Sequence, residues 1–276
     1  MTQANPKNVI LNGDVLDQLK YLNDGSVDLV IADPPYGIEK DFGKPDSWQS
    51  LDDWKDWCWS WLTECERILK PNGSILLYGI SHYICFNQVQ LYELGMRYRR
   101  QIIWHYENGF CGNRNIRATY EPLLWFSKSD DFYFREIREP YKSADRLKYS
   151  VKKNGKTWTP NPEGRLAGDV WNIPTLAGRR FKDEKVGHPT QKPLAISERL
   201  VDHFCPKDGL ILIPFAGSGS ECVAAFEKGR DFIGVELNEE YCVIAERRLT
   251  DRGWPISRTL PEESRAELEN VAVAVK

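Results

Sequence analysis

The sequence lacks any apolar run long enough to cross a membrane. Its 276 residues are 41% hydrophobic and 28% charged, which is typical of an ordinary globular protein. A transmembrane protein is therefore excluded. The polar segment 1–7 also lacks the charged and then apolar layout of a secretory signal, so we expect a cytoplasmic protein.

Cysteines are few and are not arranged in pairs. There are seven, an odd number, and no two form a close CxxC pair, which excludes a disulfide framework and a zinc knuckle. No other group of residues stands at metal-ligand spacing, and His188 has no such companion. We predict reduced, mostly buried thiols and no metal site.

The formal net charge of −3 hides an uneven distribution. Residues 97–192 contain 20 Lys and Arg against 11 Asp and Glu, whereas the rest of the chain has 17 against 29. Aromatic and amide residues are interleaved with the basic ones, a mixture that suits phosphate contacts and base stacking. An ordinary solvated surface would explain the same composition.

Short apolar runs rich in β-branched residues alternate with longer helical patterns. This predicts a three-layer, doubly wound α/β fold with a mostly parallel sheet covered on both faces. The predicted strands are 8–11, 27–32, 74–78, 99–105, 122–126, 210–213 and 231–235. The predicted helices are 14–21, 52–69, 81–94, 193–204, 220–228 and 239–249.

Two segments interrupt this regular pattern. Residues from about 137 to 187 are rich in Gly, Pro, Asn, Lys and Arg without a sustained period, which predicts an insertion or a small subdomain. In the second predicted helix Trp54, Trp57 and Trp61 lie on one face, so we interpret them as packing against the sheet and not as a stacking platform.

The first motif that carries chemistry is Asp33-Pro34-Pro35-Tyr36, which directly follows a buried strand. Ligands of an open parallel sheet bind beyond the carboxyl ends of its strands. Two prolines remove two donors and leave carbonyls that only accept hydrogen bonds. Asp33 adds a charged acceptor and Tyr36 a planar face, a set suited to the exocyclic amine of a nucleobase.

The second motif joins a strand through a glycine-rich turn to a helix. Gly217 and Gly219 allow close approach of a ligand, and Glu236, 19 positions beyond Gly217, is placed to accept hydrogen bonds from ribose hydroxyls. This predicts a nucleoside-cofactor site. A dinucleotide-binding oxidoreductase is a competing interpretation, although Cys222 stands where the third glycine of its pattern belongs.

The third motif is His188-Pro189-Thr190-Gln191-Lys192-Pro193, ahead of an amphipathic helix. Lys192 is placed to meet a carboxylate, and Thr190 to cap the helix or contact a ligand.

Together, the three motifs in this order resemble the permuted beta group of S-adenosylmethionine-dependent amino DNA methyltransferases, over nearly the whole chain to about residue 249. The resemblance implies a seven-stranded methyltransferase sheet with an antiparallel hairpin at one edge. It implies catalysis by Asp33, Pro34, Pro35 and Tyr36. The residues expected to bind the cofactor, S-adenosylmethionine, are Asp14, Asp33, Thr190, Lys192, Phe215, Gly217, Ser218, Gly219, Ser220, Glu236 and Leu237.

The resemblance also predicts the organisation of the chain. We expect a catalytic domain at 1–136 and 187–250, a DNA target-recognition region at 137–186 and a tail at 251–276. Residues expected to contact DNA are Arg114, Arg117, Lys152, Lys153, Arg179 and Arg180. The sequence departs from the family at Ile213, where an acid is usual, and at Ser220, which replaces a common Thr.

The implied activity is methyl transfer to N6 of an adenine flipped out of duplex DNA. N4 of cytosine is the nearest alternative, although relatives with that activity more often carry Ser at the position of Asp33. A DNA-binding relative with little catalysis is another, supported only by Ile213. The expected partners are double-stranded DNA and, in a restriction system, a cognate endonuclease; the protein is expected to be a monomer or a homodimer.

Overall fold

The computed structural model describes residues 4–36, 48, 50–109, 111 and 113–254. Its strands are β1 Val9–Asn12, β2 Val27–Ala32, β3 Leu69–Tyr78, β4 Arg97–His105, β5 Tyr120–Ser127, β6 Arg138–Glu139, β7 Val151–Lys153, β8 Lys156–Trp158, β9 Arg165–Leu166, β10 Val170–Asn172, β11 Leu210–Ile213 and β12 Asp231–Glu236. Its α-helices are α1 Val15–Leu19, α2 Leu51–Ile68, α3 Ile84–Glu93, α4 Leu194–Phe204, α5 Ser220–Glu227 and α6 Glu239–Thr250.

Within these residues the main sheet has eight strands in the order β1-β12-β11-β2-β3-β5-β4-β10. Strand β5 is antiparallel to both of its neighbours, and the other pairs are parallel. The carboxyl ends of β1, β2, β4, β10, β11 and β12 therefore meet at one edge of the sheet, where a ligand site is expected. The predicted α/β fold is confirmed, with one strand more than the expected seven.

The central strands are apolar on both faces because helices cover both sides of the sheet. In β2, Leu29 and Ile31 belong to one core cluster, and Val30 and Ala32 belong to the other. This alternation follows from the two-residue period of a strand, and burial on both sides removes the polar residues that a solvated face would carry. Strand β11 is likewise buried throughout.

Helix α2 is positioned by its own ends and its apolar face. The Ser50 hydroxyl accepts a hydrogen bond of 3.1 Å from the backbone N–H of Asp53 and caps the helix. Trp54 and Trp61 are buried against the sheet, as predicted. Trp57, on the same face of α2, is only half-buried, so the core does not enclose it as it encloses Trp54 and Trp61.

The segment predicted as an insertion is partly built into the sheet. Strand β10 pairs in parallel with β4, and the Trp171 side chain on it is buried in the same core cluster as Ile137. The segment 137–186 therefore packs with the sheet across the boundary expected at 136/137. The remaining short strands form two antiparallel ribbons, β6 with β9 and β7 with β8.

The β7–β8 ribbon turns at Asn154 and Gly155, whose φ angles are +51° and +71°. Both residues thus occupy the left-handed region that a two-residue hairpin turn requires, and Asn-Gly is a strong sequence signal for such a hairpin. Our sequence analysis did not use that signal, so the ribbon was not predicted.

The cysteines follow the prediction. Cys58, Cys65, Cys205, Cys222 and Cys242 are buried free thiols, and Cys85 and Cys111 are exposed. No helix in the described part of the chain combines the length and apolarity needed to span a membrane. Most of the predicted tail, 255–276, lies outside the described residues.

The burial of Trp171 predicts that the β10 segment supports the whole domain. We expect Trp171→Ala to lower the free energy of unfolding by about 3–5 kcal/mol, because it empties a large core site. Trp158→Ala, which removes an exposed indole on β8, is the matched control and is expected to change it by less than about 0.5 kcal/mol. Urea unfolding monitored by circular dichroism measures both. Equal small effects would show that β10 is dispensable for folding.

Candidate active site

A cavity of about 680 Å³ opens at the carboxyl edge of the sheet. Residues from all three sequence motifs line it together, although they lie far apart in the chain. The lining includes Asp14, Asp33, Pro34, Pro35, Tyr36, Thr190, Lys192, Phe215, Gly217, Ser218, Ser220, Glu236 and Leu237. The structure therefore brings almost every predicted catalytic and cofactor-binding residue into one site.

The Asp33-Pro34-Pro35-Tyr36 segment follows β2, and one of its backbone carbonyls already accepts a hydrogen bond. The indole Nε1 of Trp54 on α2 donates a hydrogen bond of 3.1 Å to the Pro35 carbonyl. Among the described residues nothing donates to the Pro34 carbonyl, which therefore remains available as an acceptor. The Tyr36 hydroxyl donates to Asp33 Oδ1, and burial raises the pKa of Tyr36, so its proton is retained.

Lys192 is the central cation of the site and is only 5% exposed. Its Nζ lies 2.7 Å from Asp33 Oδ2 and 3.2 Å from Glu121 Oε2, and 4.8 Å from the centre of the Tyr78 ring. Burial opposes its charge, but the carboxylates of Asp33 and Glu121 outweigh this and raise the pKa of Lys192 above its usual value. The carboxylate that Lys192 was predicted to meet thus belongs to the chain itself.

Glu236 organises the glycine-rich turn. Its Oε2 accepts a hydrogen bond of 2.7 Å from the Gly217 N–H, and its Oε1 accepts one of 2.8 Å from the Asn238 N–H. Burial raises the pKa of Glu236. The carboxylate is thereby fixed at the end of β12, in the cavity wall, where the sequence analysis placed a ribose-binding acid.

The two glycines of the turn have different roles. Gly217 lines the cavity with a φ of +50°. Gly219 has a φ of +76° and does not line the cavity; a Cβ there would lie 2.6 Å from the Ala245 Cβ on α6. Gly219 is needed for the packing of α6 against the turn, so the structure does not support its predicted contact with a cofactor.

Arg248 of α6 secures the same turn from behind. Its Nη1 donates to the Ser218 carbonyl at 2.6 Å and to Ser220 Oγ at 3.1 Å. The Ser220 hydroxyl in turn donates to the Lys192 carbonyl at 2.8 Å, which ties the third motif to the second. Ser218 and Ser220 are both buried.

Trp57, which was interpreted as packing against the sheet, forms part of the cavity wall together with Trp48, which was not assigned a role. Trp48 and Trp57 line it beside Phe215, with ring centres 4.9 Å apart between the tryptophans and 5.6 Å apart between Trp57 and Phe215. Helical spacing correctly assigned Trp57 to the apolar face of α2. It could not reveal that this face extends beyond the sheet edge into a cavity.

The departure at Ile213 does not leave the cavity without carboxylates. Ile213 is buried in the core. Glu221, on the first turn of α5, lines the cavity instead; it accepts a hydrogen bond of 3.0 Å from Ser197 Oγ, and burial raises the pKa of Glu221. Asp14, Asp33, Glu221 and Glu236 are the four acidic residues of the cavity lining, and of these only Glu221 was not predicted from the sequence.

None of the six basic residues predicted to contact DNA lines the cavity. All six are exposed: Arg114, Arg117, Lys152, Lys153, Arg179 and Arg180. Arg114 and Arg117 lie in the loop after β4, at the same sheet edge as Asp33. Arg179 and Arg180 lie in a short 3-10 helix ahead of the His188 loop, and Lys152 and Lys153 lie on β7.

The fold and this site define an α/β protein with a nucleoside-binding cavity and a carboxylate beside an acceptor carbonyl. The chain belongs to the DNA methylase family of N6 and N4 methyltransferases, which it matches over residues 27–247. It is 33% identical over 241 residues to the Type II methyltransferase M1.MboII of Moraxella bovis, covering 83% of this chain and 90% of that one. It is 33% identical over 252 residues to the DNA adenine methyltransferase YhdJ of Escherichia coli, covering 89% and 84%.

Solved structures share the fold. The M1.HpyAVI complex with SAM superposes with a TM-score of 0.60 at 24% identity, covering 87% of this chain and 98% of that one. The cytosine-N4-specific PvuII DNA methyltransferase superposes with a TM-score of 0.68 at 16% identity, covering 97% and 93%. The α/β fold predicted from the motifs is thus that of known DNA methyltransferases.

The environment of His188 generates a prediction about pH. Its ring lies 4.4 Å from the Tyr241 ring, and burial lowers the pKa of His188 to about 4. An unfolded His has a pKa near 6.5, so the unfolded chain binds the extra proton between about pH 6.5 and 4, and stability falls as the pH falls through this window. We expect His188→Gln to lose less thermal stability over this range.

The measurement is the melting temperature of both proteins from pH 7 to pH 4. His82→Gln is the control, because this residue lies at the surface before α3, remote from the cavity lining. If His188→Gln and the unmodified protein lose stability in parallel, His188 is not the buried neutral group described above.

Proposed function

We propose that this DNA methyltransferase transfers a methyl group from S-adenosylmethionine to N6 of adenine in duplex DNA. The observation that carries the proposal is the placement of Asp33 and of Pro34, to whose carbonyl no described residue donates, in the same cavity as Gly217 and Glu236. One half of this cavity suits an exocyclic amine and the other half suits a nucleoside, as the reaction requires.

The residues present fit the cofactor. Glu236 faces the cavity at the end of β12 and would accept hydrogen bonds from ribose hydroxyls, and Asp14 would lie beside the adenine amine. Asp14 lines the cavity, and its Oδ1 caps α1 by accepting from the Leu16 N–H at 2.8 Å. Phe215, Ser218 and Thr190 would surround the methionine portion.

When bound, S-adenosylmethionine supplies an electrophilic methyl group. Asp33 and the Pro34 carbonyl would accept the two hydrogens of the target amine, which favours a tetrahedral nitrogen with its lone pair withdrawn from the ring. Positive charge would develop on that nitrogen as it takes the methyl group, and the nearby Asp33 carboxylate would stabilise it without having to reorganise. The bond from the methyl group to sulfur would break, so the cofactor would leave as a neutral thioether, and the nitrogen would lose one of its protons past Asp33 to solvent. Tyr36 provides a face for the base.

The target amine is paired inside duplex DNA, so the base must leave the stack to reach Asp33. We propose that the exposed basic residues of 137–186, together with the loop after β4, hold the DNA during this step. The β7–β8 ribbon is suited to such contact, because its lysines and Trp158 are exposed and a two-stranded ribbon fits a major groove.

Two observations favour adenine over cytosine. The chain carries Asp33 in a complete Asp-Pro-Pro-Tyr segment, and YhdJ, which is named as an adenine methyltransferase, is 33% identical over most of its length. The match to type II methyltransferases also supports a restriction system, with a cognate endonuclease as partner.

Asp33→Asn tests the reaction. We expect it to reduce methylation by about 100-fold or more, because the neutral amide cannot stabilise the charged nitrogen and presents a donor to the amine. DNA from cells that express each protein would be analysed by single-molecule sequencing, which distinguishes methyladenine from methylcytosine. Methylcytosine at the modified motif would replace the adenine proposal by N4 transfer.

Binding of the cofactor provides the control for this variant. Trp57 lies in the cavity wall, so we expect S-adenosylmethionine to change its fluorescence in both the unmodified protein and Asp33→Asn. A soluble protein that binds DNA but neither binds the cofactor nor methylates DNA would be a DNA-binding relative without catalysis.

The β7–β8 ribbon is tested by the salt dependence of DNA binding. We expect Lys152→Ala/Lys153→Ala to reduce the slope of log K against log salt by about 0.9 per lost phosphate contact. The matched control is Lys20→Ala/Lys55→Ala, which removes the same charge from α1 and α2, outside the basic region. Equal slopes in the two double variants would exclude the ribbon as a DNA-contact element.

A further inference from the structure

Glu121 stands apart from all three motifs, yet it joins the catalytic carboxylate through Lys192. It is the second residue of β5 and pairs with Trp104 of the antiparallel strand β4. Its Oε2 lies 3.2 Å from Lys192 Nζ, and that Nζ lies 2.7 Å from Asp33 Oδ2. One buried ammonium thus bridges carboxylates that come from β5 and from the end of β2.

We propose that Lys192 and Glu121 are a positioning pair for Asp33, an inference that rests on the proposed methyl transfer. Lys192 holds Oδ2 and the Tyr36 hydroxyl holds Oδ1, so that the two contacts together fix the plane of the Asp33 carboxylate. Glu121 holds Lys192 from the other side, so that the ammonium does not swing toward the cavity when a positively charged cofactor enters.

The arrangement is too costly in electrostatic terms to be a simple stabilising ion pair. Removing a lysine and two acids from most of their water is costly, and well-packed apolar side chains in their place are often as stable or more so. Lys192 is 5% exposed, and the side chains of Asp33 and Glu121 are 19% and 24% exposed. A function that needs an oriented carboxylate explains why these charges lie in the cavity wall.

Other elements confine the ammonium to this position. Tyr78 of β3 presents its ring 4.8 Å away, and the Ser220 hydroxyl holds the Lys192 carbonyl. Glu221 of α5 adds a third negative charge that favours the charged amine, and Tyr106 and His188 face the same region. Lys192 is therefore surrounded by groups that stabilise it as a cation and limit its movement.

The test separates chemistry from binding with Lys192→Met, Glu121→Gln and the double variant. Single-turnover methylation of DNA gives the rate, and calorimetry gives the Kd for S-adenosylmethionine. We expect Lys192→Met to slow methyl transfer by at least 100-fold while changing the cofactor Kd by less than about 5-fold. We expect Glu121→Gln to slow methyl transfer by about 10-fold. The double variant should be faster than Lys192→Met, because the double variant carries one uncompensated carboxylate fewer.

The pH profile gives a readout that a purely structural role would not move. Lys192→Met removes the positive charge beside the reacting groups, so we expect the acid limb of its rate profile to differ from that of the unmodified protein. Lys128→Met is the control; Lys128 also contacts a glutamate, Glu66, but it does not line the cavity. Its rate and pH profile should match those of the unmodified protein.

Two outcomes would overturn the proposal. A weakened cofactor Kd with an unchanged single-turnover rate would make Lys192 a cofactor ligand, and an unchanged rate and acid limb would make the pair structural. Crystal structures of the variants give a readout that does not depend on activity: the Asp33 carboxylate should rotate in Lys192→Met. If the unmodified protein methylates nothing, the proposed function fails, and this rotation still decides whether the pair positions Asp33.

Discussion

The parallel alignment of β2, β11 and β12 is the constraint on which the rest of this structure depends. Because these strands run in one direction, their carboxyl ends deliver Asp33, the glycine-rich turn and Glu236 to the same edge. The helices that follow then present their first turns to the same cavity. If one strand were reversed, its motif would lie at the opposite edge of the sheet, about one strand length from the cavity.

Each charged group of this cavity has a defined partner, although acids outnumber bases. The buried ammonium of Lys192 contacts Asp33 and Glu121 and is favoured by the charge of Glu221, while Glu236 is held separately by two backbone N–H groups. Burial makes each unpaired charge costly, and every carboxylate accordingly has a defined donor or cation nearby. The remaining negative character suits a sulfonium cofactor, and it persists although Ile213 replaces the acid usual in the family.

Aromatic packing and backbone chemistry cooperate around the first motif. Trp54 belongs to the core, yet its indole N–H occupies the Pro35 carbonyl, whereas no described residue donates to the Pro34 carbonyl. Trp57, one helical turn further along α2, reaches the cavity wall instead. Helix α2 thus packs against the sheet, donates a hydrogen bond to the Pro35 carbonyl and contributes Trp57 to the cavity lining.

The sequence by itself determined the order of strands and helices, the three motifs and the family, because periodicity and short motifs are local properties of a chain. It also predicted 13 of the 23 residues that line the cavity. Only the tertiary structure showed that β10 joins the sheet, that Gly219 serves packing, and that Trp57 faces the cavity. It alone paired Lys192 with Glu121. These features depend on contacts between residues distant in sequence, such as 121 and 192, and no local pattern encodes such contacts.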